Sequence, residues 1–220
     1  MPLVIAMDGP SGSGKSSASK GVARALGLRY LDTGAMYRAM TWWMLEKGVP
    51  VEDAGAVEAR AAEPVIASGT DPDGPTITVD GTDVSAPIRT RDVTNAVSAV
   101  SSVPAVRTRM VELQREIIGS GGIVVEGRDI GTVVAPDAPV KVYLTASEET
   151  RAARRAKDLA ADPGASVTVT RAEQARRDRL DSTRKASPLA RAGDAHEIDS
   201  TELSLAEVIE AVVRLAKEHE

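Results

Sequence analysis

Residues 9–16 read Gly9-Pro10-Ser11-Gly12-Ser13-Gly14-Lys15-Ser16, a complete G-x-x-x-x-G-K-S run. An apolar run at 3–7 leads directly into it, and helical spacing of apolar residues follows over 15–26. The glycines let the backbone curl until several N–H groups point inward. A helix opening at Lys15 adds its positive dipole end to the same concavity. The group that fits there is a chain of phosphates, with Lys15 reaching the β- and γ-phosphates and the Ser16 hydroxyl ligating Mg²⁺. A glycine-rich turn matching by chance need not lie between a strand and a helix, as this one does. The triphosphate is expected to be ATP. The chain contains no Asn-Lys-x-Asp run, which disfavours a guanine-reading switch.

The rest of the chain alternates strand and helix, predicting an α/β fold with a parallel sheet covered by helices. Strands are expected at 29–31, 123–125, 140–144 and 196–199, and helices at 35–47, 51–68, 91–102, 104–118 and 148–161. Thr170-x-x-Glu173 and Ser204-x-x-Glu207 read as capping boxes for the last two helices. Residues 76–79 and 82–85, joined by Asp80-Gly81, have the signature of a hairpin with a type I′ turn. Antiparallel pairing there marks an insertion rather than another α/β unit. Residues 162–168, with Pro163-Gly164, are expected to be a loop.

The chain of 220 residues has no cysteine and two histidines, which removes thiolate sites and makes a histidine-based zinc site implausible. No stretch approaches the roughly 20 apolar residues of a membrane helix, so a cytoplasmic protein is expected. A net charge of −5 argues against a nucleic-acid coat, yet residues 141–191 carry 12 Lys+Arg against 7 Asp+Glu. Nine of those cations are arginine, whose planar fork matches phosphate oxygens. No aromatic side chain lies between Leu144 and Glu220, so a stacking platform for nucleic acid is not indicated.

Several residues fall where a second substrate would approach. Thr33 sits at or near the start of the helix over 35–47, and Arg38 emerges one turn in. Arg128 and Asp129 follow the strand at 123–125, and ligands gather beyond the carboxyl ends of such strands. Glu126 ends that strand; it is either a partner for magnesium or its water, or a plain strand-end carboxylate. Asp129 either touches the ligand or only orients Arg128. Arg177, Asp181 and Arg184, spaced i, i+4, i+7, share a helix face. A phosphate-monoester acceptor is already a dianion near neutral pH and needs no general base, only cations to offset repulsion.

With MDGPSGSGKSS, YLDTGAMYR, DVSAPIRT, EGRDIGTVV, APVKVYLTAS and RKASPLARAGDAHEIDST assembled, the chain resembles the bacterial-type cytidylate kinase family nearly end to end. The resemblance implies a single P-loop kinase domain over 1–220, a monophosphate-binding insertion at 63–107 and a lid at 151–170. It implies ATP and Mg²⁺ bound by residues 9–17, Ser17 included, and CMP or dCMP as acceptor for a monomer. Thr33, Arg38, Arg128 and Arg184 would attend the CMP phosphate. Ser98, Arg107 and Asp129 would read the cytosine edge, and Arg177 and Asp181 the ribose side. Lys15, Arg128, Arg155 and Arg184 would carry the charge of phosphoryl transfer, with Arg151 and Arg154 bordering the lid. The family more often has Asp than Glu at position 126.

Overall fold

The computed structural model describes residues 2–158 and 167–219. Five strands, β1 (Val4–Asp8), β2 (Arg29–Asp32), β6 (Ile123–Gly127), β7 (Val140–Thr145) and β8 (His196–Asp199), form one parallel sheet in the order β2-β6-β1-β7-β8. Their side chains alternate between two cores, as period-2 geometry requires. Ile5, Met7 and Val124 face helices α1 (Lys15–Leu26) and α8 (Leu205–Lys217). Ala6, Ile123 and Val125 face α2 (Thr33–Glu46) and α5 (Pro104–Ile118). Register aligns the strand ends: Asp8 lies opposite Gly127, and Asp32 opposite Glu126. The carboxyl edge of the sheet therefore carries Asp8, Asp32 and Glu126 beside the entrance to the loop at residues 9–14.

A second, antiparallel sheet of β3 (Ile66–Ser68), β4 (Ile77–Val79) and β5 (Thr82–Asp83) stands beside α2. The Asp80-Gly81 turn has φ of 51° and 79° at its two central residues, the positive pair that a type I′ turn demands. Ile66, Ile77 and Val79 belong to the same apolar cluster as Met36, Met40 and Met110. A short 3₁₀ turn at Pro87–Arg89 leads into α4 (Arg91–Ser102), which packs on α2.

Two expectations are corrected. Residues 51–68 are not one helix. Asp53 caps α3 (Ala54–Arg60) by accepting from Gly55 N and Ala56 N, and Ile66–Ser68 is strand β3. Pro64 lies between them, and proline disfavours a continuing helix where the alanine pattern suggests one. Thr170 opens no helix, because α7 runs Val167–Thr183 and buries it in the second turn. The capping box at Ser204 is present in full. Of the expected lid, residues 159–166 lie outside the described residues, as does the end of the helix expected over 148–161; α6 spans Glu148–Asp158. Among the described residues no helix is long and apolar enough to cross a membrane.

Met40 is fully buried in the cluster shared by both sheets. Met40→Ala should cost about 2–5 kcal/mol, the range for a large-to-small core change. Urea unfolding should show it as a lower midpoint with an unchanged slope.

Candidate active site

The loop between β1 and α1 is held open by its surroundings. A Cβ on Gly9 would lie 2.0 Å from the Leu144 carbonyl, so only glycine lets β1 leave the sheet there. Gly14, at φ +91°, turns the chain into α1. Lys15 is buried, its Nζ donating to the Pro10 carbonyl at 2.7 Å and to Ser13 Oγ at 3.3 Å. Burial, reinforced by Arg128, lowers the pKa of its ammonium, while Glu126 and Asp8 oppose the shift. Ser11 to Ser17 line a cavity of about 510 Å³; Gly9 and Pro10 lie behind it.

Glu126 stands at the floor of that cavity and is 4% exposed. Its carboxylate accepts from Ser16 Oγ at 3.0 Å and from the Tyr30 hydroxyl. Its backbone carbonyl accepts from Thr33 Oγ1 at 2.7 Å. Burial raises its pKa, with Asp32 adding to the shift. Thr33 is thus fastened to β6, and the N-cap of α2 is Asp32, which accepts from Ala35 N at 2.9 Å. Ser16 and Glu126 offer hard oxygen donors, the kind magnesium takes beside phosphate and water oxygens.

Opposite the loop, the same cavity brings together Arg38, Arg128, Arg155, Arg177 and Arg184. Burial lowers the pKa of Arg38 to about 9, and Arg177 and Arg155 push it further the same way. Arg177 falls to about 10 through burial and then Arg128. Such mutual repulsion among half-buried cations is an arrangement that an anion relieves. Arg38 Nη1 is steadied by the Ile88 carbonyl and Thr94 Oγ1 at 3.1 and 2.9 Å, which ties α2 to the inserted segment.

The expected base-reading residues also meet there. Arg107 Nη2 donates to Asp129 Oδ2, Arg184 Nη2 lies 3.7 Å from Asp129 Oδ1, and the Arg107 guanidinium stacks 5.0 Å over the Tyr37 ring. Arg128 turns away from Asp129 and bonds Asp181 Oδ2 through Nε at 3.2 Å. Ser98 Oγ is buried in the same wall without a protein partner. Every substrate-contact residue expected from the sequence therefore lines this one cavity.

Sequence reasoning missed three participants. Tyr30 and Asp178 are anonymous within a short strand and a charged run. Asp8 is signalled only by its place at the end of β1. Asp8 is 4% exposed and accepts from Ile130 N at 2.9 Å and Gly131 N at 2.8 Å, holding the single π-helical turn Ile130–Val134 that follows Asp129. Burial raises its pKa from 3.8 to about 6 despite those two bonds. A carboxyl raised in this way destabilises the fold when ionised. Its contribution falls as pH rises from the unfolded value through 6, and is constant above. Relative to Asp8→Asn, the wild-type chain should lose about 2 kcal/mol of stability between pH 4.5 and 7. Parallel urea titrations of both proteins across that range would measure it.

A family model described as cytidylate kinase matches residues 5–218. A cytidylate kinase of Streptomyces avermitilis is 60% identical over 98% of this chain and 93% of its own length. One from Mycobacterium avium is 55% identical over 98% of this chain and 96% of its own. Among solved structures, a shikimate kinase from Acinetobacter baumannii aligns with TM-score 0.52 at 14% identity, covering 100% of this chain and 96% of that one. A gluconokinase from Sinorhizobium meliloti aligns with TM-score 0.50 at 16% identity, covering 99% and 93%. These two share the P-loop kinase fold. With the sequence matched from β1 through α8, the chain belongs to the cytidylate kinase family.

Proposed function

We propose that the chain transfers the γ-phosphoryl group of ATP to CMP or dCMP, giving ADP and CDP or dCDP, as a cytoplasmic monomer acting on free nucleotides. The observation that carries this reading is the one cavity lined by residues 11–17 of the phosphate loop, by Arg38, Arg128, Arg155, Arg177 and Arg184 among its arginines, and by the buried Asp129, Arg107 and Ser98. In the reaction an oxygen of the acceptor phosphate bonds the γ-phosphorus. The bond to the β-phosphate oxygen breaks, and its electron pair leaves with ADP. The acceptor oxygen is already anionic, so the barrier is the approach of two polyanions.

The residues divide that work. Residues 9–17 hold the ATP phosphates, and Lys15 exchanges its bonds within the loop for the transferred group. Mg²⁺, held through Ser16 with Glu126 behind it, supplies further positive charge at the phosphates. Thr33, Arg38, Arg128 and Arg184 take the CMP phosphate. Arg155 joins Lys15, Arg128 and Arg184 in offsetting charge along the path of transfer. Arg177 and Asp181 hold the ribose, and Ser98, Arg107 and Asp129 read the base. Residues 63–107 form the monophosphate-binding insertion and 151–170 the lid, which excludes water that would otherwise consume ATP.

Lys15→Ala should lower turnover by several powers of ten with the fold intact, as judged by circular dichroism. Near-normal turnover would remove the loop from the reaction. Base reading has its own test. Cytosine presents an amino donor where uracil presents a carbonyl, so a buried carboxylate facing that position disfavours UMP by about 1–3 kcal/mol, or roughly tenfold. Asp129→Ala should shrink the CMP:UMP ratio of kcat/KM, whereas Arg184→Ala should weaken both substrates alike. The ratio is the safe readout, because either change also strips a partner from a buried charge.

A further inference from the structure

Helix α7 has an unusual anchorage. Among its described side chains the buried ones are Thr170, Gln174 and Asp181, and none of these belongs to either apolar core. The hydrogen bonds and ion pairs of its described side chains lead in two directions. Toward the acceptor pocket, Asp181 accepts from Arg128, and Arg184, just past the helix end, lies 3.7 Å from Asp129. Toward the donor loop, Asp178 Oδ1 accepts from Ser11 N at 3.0 Å, and its Oδ2 pairs with Arg151 Nη1 of α6 at 2.5 Å. The same Arg151 Nη1 donates back to the Ser11 carbonyl at 2.9 Å. One residue of the phosphate loop, Ser11, is thus gripped through both its backbone N–H and its carbonyl.

Gly12 supplies an independent sign that this grip is built into the chain. A Cβ there would lie 2.4 Å from Gln174 Nε2 and 2.8 Å from the Arg151 carbonyl, so the loop has been shaped to let α6 and α7 close on it. The grip falls on the outer bend of the loop, away from the Gly14–Ser17 end that opens α1. Asp178 and Asp181 are one turn apart on one face of α7. A shift of the loop at Ser11 therefore moves Asp181 and Arg184 with it.

We propose that Asp178 and Arg151 are a positioning pair that couples occupancy of the ATP loop to the monophosphate pocket through α7. The inference rests on the assignment above of residues 9–17 to ATP and of Arg177, Asp181 and Arg184 to the acceptor. Seating a triphosphate fixes Ser11. The clamp then fixes α7 with its acceptor-binding side chains in place, so the second ligand binds a helix already ordered. Linkage makes the effect reciprocal.

The test is calorimetric titration of CMP into the full chain with Mg²⁺, with and without saturating β,γ-imido-ATP. Wild type should bind CMP about fivefold or more tightly with the analogue present, the lower end of ordinary coupling between sites. Asp178→Ala should reduce that factor to below about twofold while each nucleotide alone still binds. Asp178→Asn keeps the shape and the bond from Ser11 N but removes the negative charge that faces Arg151. It should fall between the two, and it serves if the alanine variant does not fold. A coupling factor in the variants equal to wild type would overturn the proposal, as would no coupling in wild type. Loss of binding of either nucleotide alone in folded Asp178→Asn would also overturn it, since the pair would then belong to a binding site. A wild-type chain that neither binds CMP nor turns it over would instead overturn the kinase reading, and this linkage with it.

Discussion

One buried carboxylate holds the two halves of this site at their working distance. Glu126 is bonded by Ser16 from the phosphate loop and by Tyr30 from β2, and its own carbonyl receives Thr33 from the start of α2. Four elements therefore meet at a single residue of the central sheet. A buried charge of this kind is costly unless hydrogen-bonded, and here both carboxylate oxygens have donors. Glutamate is one methylene longer than aspartate. In this chain that length is taken up by direct bonds to Ser16 and Tyr30.

The second constraint is electrostatic and acts against the fold. An acidic chain collects arginines around one cavity, where burial and mutual repulsion depress Arg38, Arg177 and Arg184. Arginine holds its proton even so, and the strain is carried by the protein. Asp129 and Asp181 offset part of it by sitting among the cations, each in contact with two of them. The remainder is what a nucleotide phosphate would relieve. A phosphate bound there would draw part of its binding energy from repulsion already present in the folded chain.

Much of this was legible in the sequence because the chemistry is local. The loop at 9–16 dictates its own backbone, and Arg177 and Asp181 share a face of α7 by spacing alone, whereas Arg184, expected on that face, lies just past the helix end. Asp80-Gly81 specifies its turn. What was not legible depends on partners distant in the chain. Residues 51–68 have alanine-rich helical composition, but the pairing of Ile66–Ser68 with Ile77–Val79 decides the end of that stretch. Asp178 is one charge among many until Ser11, 167 residues away, is seen to donate to it. Asp8 looks like the last residue of a strand. Its task, holding the turn after Asp129, exists only once β1 and β6 lie side by side.

The hairpin tip is mounted on α2 in a way that gives the molecule an optical signal of its own. Trp43 Nε1 donates to Asp80 Oδ2 at 2.9 Å, the other Asp80 oxygen receives Val65 N, and the Arg60 guanidinium stacks 4.8 Å over the indole. Trp43 and its neighbour Trp42 are the only tryptophans in the chain. Indole emission from this protein therefore arises wholly from α2, and the Trp43 share of it from the seam with the small sheet. A change in colour or intensity reports rearrangement on α2 or at that seam, with no label attached and no background from the phosphate loop.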